Sequence, residues 1–199
     1  MKTKEQLFKA LISKYRHAAD DSERERIRLE MWDTFGEKRA TLITDMSDFT
    51  YISHQYGSVH YLSMISRMEE IVTSVITAHE GTLVKCEADN TFSIFHDPSQ
   101  ALLASQAINT ALKKENAQED EKFHIHIACG IAYGTILVLD EDIYGQSVII
   151  ASKLGEDIAK GGEILVSQAT IDAIADNDIP IKEHATLNIS KVEVTYCSL

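Results

Sequence analysis

The sequence predicts an α+β fold, a βαββαβ palm built on a split βαβ unit, with helices on one face of a mixed or antiparallel sheet and a helical extension in front. Three observations predict it. Apolar spacing switches repeatedly between the helical period of about 3.6 and the strand period of two. The resulting order is strand, helix, two strands, helix, two strands, then further helix and strand additions. No internal repeat or linker-like tract interrupts it, with only 2 prolines and 9 glycines in 199 residues. A chain of that length buries one substantial core, so we expect a helical extension over residues 1–36 and a single domain over residues 37–199.

The elements follow in order. From about Thr3 to Trp32, Leu7, Leu11, Ile12 and Tyr15, then Ile27, Leu29 and Met31, sit between many charges, which predicts two helices broken near Asp20-Asp21-Ser22. The run ATLITDM is apolar and β-branched and ends at Asp45, so it reads as a buried strand delivering a carboxylate to its tip, with SDFT as the polar turn. Val59, Leu62, Met64, Ile65, Met68, Ile71, Val72, Val75 and Ile76 then recur at helical spacing, and Gly81 supplies the stop. Two strands, GTLVKCEA and TFSIFH, are joined at Asp89-Asn90, which places Asp89 at a hairpin tip. Asp97-Pro98-Ser99 opens a helix running to about Lys114, followed by the polar, mobile loop ENAQEDEK. FHIHIACGIAYGTILVLDED is read as two strands around Gly134, and SVIIASKLGEDIA as a helix starting after Gly145 and ending at Gly161-Gly162. EILVS is a strand, SQATIDAIA a short helix and VEVTYCSL a closing strand.

A formal charge of −12 opposes binding to nucleic acid or anionic lipid, because such binding depends on clustered Lys and Arg. Any site for an anionic nucleotide would need divalent metal held by carboxylates. Cys86, Cys129 and Cys197 lack the spacing of a metal knuckle and follow no secretory signal, which points to a reducing, cytoplasmic setting. The longest apolar runs fall short of the ~20 residues needed to span a bilayer, so no direct membrane insertion is expected.

The constellation that carries chemistry is Asp45 with Asp89. One helix separates them in sequence, and they become neighbours if their strands pair. Paired carboxylates can hold two magnesium or manganese ions, which bridge phosphate oxygens and lower the pKa of an attacking hydroxyl. A single aspartate more often caps a turn, so the pair carries the reading.

Three segments carry a resemblance. RATLITDMSDFT resembles the first metal motif of class III adenylyl and guanylyl cyclases. EGTLVKCEADNTFSIF resembles the second, and DIYGQSVIIASKLGEDIAKGGEILVS the third. Three motifs in the right order are far more specific than any one. They span roughly Arg39 to Ser167, leaving the N-terminal helices and the C-terminal tail outside. The resemblance implies the ferredoxin-like palm of that family and two composite sites in a head-to-tail homodimer. It makes Asp45 and Asp89 the metal ligands, with the Met46 carbonyl as an extra ligand, and gives the backbone of Ser47, Phe49 and Thr50 to the phosphates. Lys85 falls where adenylyl cyclases read adenine and Asp142 on its partner carboxylate, so ATP and its conversion to cyclic AMP are favoured. Without the resemblance, Lys85 reads as an edge-strand residue and Asp142 as a solvated turn.

The third segment departs from the pattern. Where the family places an Asn and, four residues later, an Arg, this chain has Ile149 and Lys153. Lysine still neutralises charge, as a point donor rather than a planar fork, and Ile149 offers no hydrogen bond. Asp48 and Ala88 stand where glycines are common, and Ala128 where many members have histidine. An alternative expectation is therefore a weak or inactive homologue acting as a nucleotide-binding or regulatory module. Retention of Asp45, Asp89, Lys85 and Asp142 favours the enzyme. His124 and His126 are expected to share one side of a strand without a third metal ligand, Trp32 and Tyr56 to be packing anchors, and Glu156-Asp157 to face solvent.

Overall fold

The computed structural model describes residues 3–174, 181–189 and 192–199. Two antiparallel helices come first, α1 (Lys4–Arg16) and α2 (Asp21–Phe35). The Thr3 and Asp20 side chains accept from the amides of Gln6 and Glu23 and cap them. The palm is β1 (Gly36–Met46), α3 (Phe49–Tyr56), α4 (Ser58–Ala78), β2 (Thr82–Glu87), β3 (Asn90–Phe95), α5 (Pro98–Asn116) and β4 (Ile127–Val138). After it come β5 (Ile143–Tyr144), α6 (Gln146–Ser152), a π-helical segment (Lys153–Ile158), β6 (Ile164–Ser167), α7 (Gln168–Ala173), β7 (Glu183–Ile189) and β8 (Val192–Ser198).

The strands run β2-β3-β1-β4-β6-β8-β7, with β5 paired to β4. The first four strands have the ferredoxin-like order and are antiparallel throughout, and β4 pairs with β6 in parallel. Ala40, Leu42 and Met46 of β1 and Ile127, Cys129 and Ile131 of β4 join Met68, Val72 and Ile76 of α4 and Ala104 and Ile108 of α5 in the main core.

Helices are not confined to one face. On the other side, α6 lies against Ile43 and Ala132 through Ala151. It can approach because β4 presents Ala128, Gly130, Ala132 and Gly134 there. A Cβ on Gly130 would stand 2.0 Å from the Ala151 carbonyl oxygen.

Two glycines serve packing rather than the breaks their positions predict. Gly134 does not divide two strands: β4 runs through it, paired with Arg39, and the missing Cβ makes room for Ser147. At the end of α4, Glu80 takes the left-handed backbone with φ 58. Gly81 instead fits beneath Phe95, whose ring a Cβ would meet at 2.4 Å. The β2–β3 turn is Ala88-Asp89 rather than Asp89-Asn90, since Glu87 pairs with Asn90 and Ala88 has φ 53.

Three further differences are local. The segment SDFT opens a separate helix, α3, and the strand β7 was not anticipated. His124 and His126 precede β4 in extended backbone outside the strand. The expected helix SQATIDAIA is α7, with Ala175 outside the described residues.

Candidate active site

Asp45 is the penultimate residue of β1 and pairs with Asn90, so Asp89 at the adjoining hairpin tip is brought beside it. The two carboxylates line one open cleft of about 730 Å³ with Met46, Asp48, Phe49, Thr50, Tyr51, His54 and no basic side chain other than His54. Burial, then the charge of Asp89, then those of Glu156 and Asp157 push the Asp45 carboxyl up to about 7. Asp89 is raised in the same direction by burial. Asp157 is exposed, as expected, whereas Glu156 is half-buried and accepts from the Ser152 hydroxyl at 2.7 Å. They stand in the field of Asp45, because α6 and its π-helical continuation pack over the face that carries it.

The turn after Asp45 follows from local chemistry. Asp48 holds φ 63 at the start of α3, a conformation Asp tolerates better than most residues. The Ser47 amide donates to the His126 carbonyl at 2.8 Å, pinning the turn to the segment before β4. The Phe49 ring packs edge-on against Tyr61 at 5.0 Å, which directs the side chain to the core and leaves its backbone to the cleft.

A second group lies on the same face of the sheet. Lys85 Nζ lies 3.0 Å from Asp142 Oδ1 and 3.0 Å from Glu87 Oε1, and 4.7 Å from the centre of the Phe92 ring. The Asp142 carboxylate also accepts from the Ile143 amide at 2.9 Å and, through Oδ2, from the Tyr144 hydroxyl at 2.7 Å. Desolvation raises the pKa of Asp142, yet the bonds from Tyr144 and Lys85 outweigh it and hold the group below the ordinary range. For Lys85 desolvation likewise opposes the ionised form, and the bonds to Asp142 and Glu87 prevail, raising its pKa. An amine donor and a carboxylate acceptor are thus fixed side by side, both charged.

Lys153 is not brought to either group. Its Nζ lies 2.5 Å from Asp157 Oδ2 one turn on, and Ile149 is 57% exposed on the outside of α6. His124 and His126 line a neighbouring cleft with their rings 6.3 Å apart. No group of three or more His, Cys, Asp or Glu able to hold a metal occurs among the described residues. The sequence missed Glu87, Tyr144, Glu156 and Asp157. For Tyr144 a signal existed, since a phenol two residues after Asp142 can reach it across the strand end, as its hydroxyl does.

The donor chemistry at Asp45 fits a hard divalent cation. Two carboxylates repel one another there, the Asn90 amide oxygen opposite Asp45 is buried without a hydrogen-bond partner, and the Met46 carbonyl adjoins them. Oxygen donors of this kind suit magnesium or manganese.

A palm of this order with two neighbouring carboxylates suits the binding of a metal-bound phosphate ester. Residues 36–196 match the adenylate and guanylate cyclase catalytic domain, and the chain belongs to that family. It is therefore a nucleotidyl cyclase domain, of a family that uses divalent metals on nucleotide substrates and commonly dimerises. The crystal structure of the guanylyl cyclase Cya2 superposes with a TM-score of 0.74 at 19% identity, covering 82% of this chain and 91% of that one. The adenylyl cyclase CyaB from P. aeruginosa gives a TM-score of 0.68 at 21% identity, over 82% and 94% of the two chains. Among curated relatives, adenylate cyclase 1 of Rhizobium meliloti is 24% identical over 153 residues, 68% of this chain and 23% of that protein. An uncharacterized Mycobacterium tuberculosis protein is 26% identical over 132 residues, 66% of this chain. The chain spans about a third of the length of that relative, 33%. Among the described residues, no helix is long and apolar enough to cross a membrane.

Proposed function

We propose that the chain is an adenylate cyclase, converting ATP to 3′,5′-cyclic AMP and pyrophosphate in a cytoplasmic homodimer with composite sites. The observation that carries this reading is the fixed pair Lys85 and Asp142, 3.0 Å apart on the sheet face that also bears Asp45. Adenine presents an acceptor at N1 and a donor at its exocyclic amine, which match a Lys donor and a carboxylate acceptor. Guanine presents the reverse, a donor at N1 and an acceptor at O6, and would leave both charged groups mispaired. On this reading the protomer that reads the base faces the partner's carboxylate cleft, and residues 37–199 are the catalytic unit.

Asp45, Asp89 and the Met46 carbonyl would hold two Mg²⁺ or Mn²⁺ ions per site. When bound, these supply charge neutralisation at the triphosphate and acidify the ribose hydroxyl. The chain's own residues do the rest. The backbone of Ser47, Phe49 and Thr50 cradles the phosphates, with the Phe49 ring anchored in the core. Lys153, turning from Asp157, provides a cation for the phosphates. Lys85 and Asp142 hold the purine so that the 3′ hydroxyl is aligned with the α-phosphorus, and alignment of this kind contributes roughly 7–11 kcal/mol in favourable systems.

A second reading rests on Ile149. An exposed isoleucine where the family has an amide donor removes a transition-state hydrogen bond of about 2.7–4 kcal/mol. A slow enzyme, or a nucleotide-binding regulatory module, would carry such a residue. Purified protein with Mn²⁺ and each of ATP, GTP, CTP and UTP, with products resolved by mass spectrometry and Asp89→Ala as control, separates the readings. Cyclic AMP that disappears in the variant supports the adenylate cyclase; no product from any triphosphate rejects it in favour of the regulatory module.

A further inference from the structure

The N-terminal helices are built into the purine-reading arm. Leu11, Ala18, Ile27, Met31 and Phe35 of the helical hairpin bury themselves with Leu139, and Phe8 and Leu137 pack around them, so the hairpin closes on the far end of β4. The arm beyond has little structure of its own. Strand β5 is two residues long, paired as Leu137 with Tyr144 and Val138 with Ile143, and its turn is closed by the Leu139 amide on the Asp142 carbonyl at 2.9 Å. Two ladder pairs alone hold an arm poorly, because a short isolated hairpin is marginal in water.

Phe8 supplies a further hold. Its ring stacks on Tyr144 with centroids 5.4 Å apart and planes 6° from parallel, and it meets Phe35 edge-on at 5.5 Å. The Tyr144 hydroxyl in turn donates to Asp142 Oδ2 at 2.7 Å, while Oδ1 is engaged by Lys85 at 3.0 Å and the Ile143 amide at 2.9 Å. Both carboxylate oxygens are thereby fixed, and one of the three donors, the Tyr144 hydroxyl, traces back through an aromatic stack to α1.

We propose that Tyr144 is a positioning residue for purine recognition, and that Phe8 of α1 holds it in place, so that docking of the helical hairpin sets the preference for ATP over GTP. This rests on the assignment of Lys85 and Asp142 as adenine readers. Tyr144→Phe keeps the stack and removes the donor; Phe8→Ala keeps the donor and removes the stack. Either change frees Asp142 to turn, which costs the orientation that distinguishes an exocyclic amine from a carbonyl and leaves the metal cleft at Asp45 unaltered.

The test is competition of ATP and of GTP against a fluorescent ATP analogue on the full chain in Mn²⁺, read as the ratio of the two affinities. Because loss of one hydrogen bond to a charged group is involved, the ratio is expected to fall about tenfold in Tyr144→Phe and in Phe8→Ala. Phe8→Tyr, which retains a ring, should restore the wild-type ratio. A ratio unchanged within about twofold in folded Tyr144→Phe overturns the proposal, whether or not Phe8→Ala folds. Wild-type protein that binds ATP and GTP equally, or neither, overturns the adenine-reading assignment and this inference together. A selective wild type with unaltered variants refutes the inference alone and leaves the assignment standing.

Discussion

Replacing Asp45 with Asn should stabilise the metal-free protein, and the gain should depend on pH in a way fixed by the site. The Asp45 carboxyl stands at about 7 because burial and the charges of Asp89, Glu156 and Asp157 disfavour its ionised form. Its folded value lies above its unfolded value, so the native state keeps a proton that the unfolded chain has already released. Stability from this group is fully present below the unfolded value and is lost as pH rises towards 7. Between the ordinary value of 3.8 and about 7 the full penalty amounts to about 4 kcal/mol. The group is only half buried, and screening by water reduces this to roughly 1–2 kcal/mol. For a chain of this size that corresponds to about 2–8 °C in Tm. Melting curves of wild type and Asp45→Asn in EDTA should therefore diverge from pH 5 upwards and run parallel above pH 7, with the variant higher. Adding Mn²⁺ at pH 8 should raise the wild-type Tm and leave the variant where it was. Curves that stay parallel from pH 5 to 8 would refute the electrostatic reasoning, and an equal Mn²⁺ response in both proteins would refute the ligand assignment.

Two further outcomes follow from individual residues. Ile149→Asn restores an amide donor on the exposed side of α6, and kcat for cyclic AMP should rise by roughly 10²-fold with KM little changed; an unaltered kcat in a steady-state assay would place the missing hydrogen bond elsewhere. Gly130→Ala forces a methyl to 2.0 Å from the Ala151 carbonyl oxygen, which should cost at least about 1–3 kcal/mol in a denaturant titration, and a variant as stable as wild type would mean that α6 can lift from β4.

The palm was legible because its signals are local. Strand β1 declared itself by an apolar β-branched run ending in Asp45, and α4 and α5 by helical spacing. The meeting of Asp45 with Asp89 required that β1 pair with the second strand of the following hairpin, β3, with β2 left at the sheet edge. What stayed hidden depends on three-dimensional register. Gly134 reads as a turn from sequence, because a glycine needed for close approach looks the same as one needed for backbone freedom. The alternation of Ala128, Gly130, Ala132 and Gly134 did carry a signal, a strand face too small to fill its own side, which calls for a helix there. Glu156 and Asp157 reach Asp45 through a π-helical turn, marked by the Ala159 amide bonding to the Leu154 carbonyl at 2.9 Å, and no residue spacing announces such a turn. The contact of Phe8 with Tyr144 joins residues 136 positions apart, and only Tyr144 lies within the three motifs.

The distribution of charge sets a condition on binding that precedes any chemistry. Asp45, Asp48 and Asp89 line one cleft whose lining holds no Lys or Arg, Glu156 and Asp157 add to the field at Asp45, and Lys153 is engaged by Asp157. On a chain of net charge −12, a triphosphate approaching this cleft meets net repulsion. Like charges a few ångströms apart at a half-buried site cost about 1–4 kcal/mol each, enough to remove millimolar affinity without compensation. Divalent cation is then needed to hold the nucleotide as well as to react it. Nucleotide affinity, measured by the same fluorescent competition, should fall by at least about tenfold when EDTA replaces Mn²⁺. Metal-independent binding of equal strength would mean that the phosphates sit away from Asp45, and the carboxylate pair would then need another purpose.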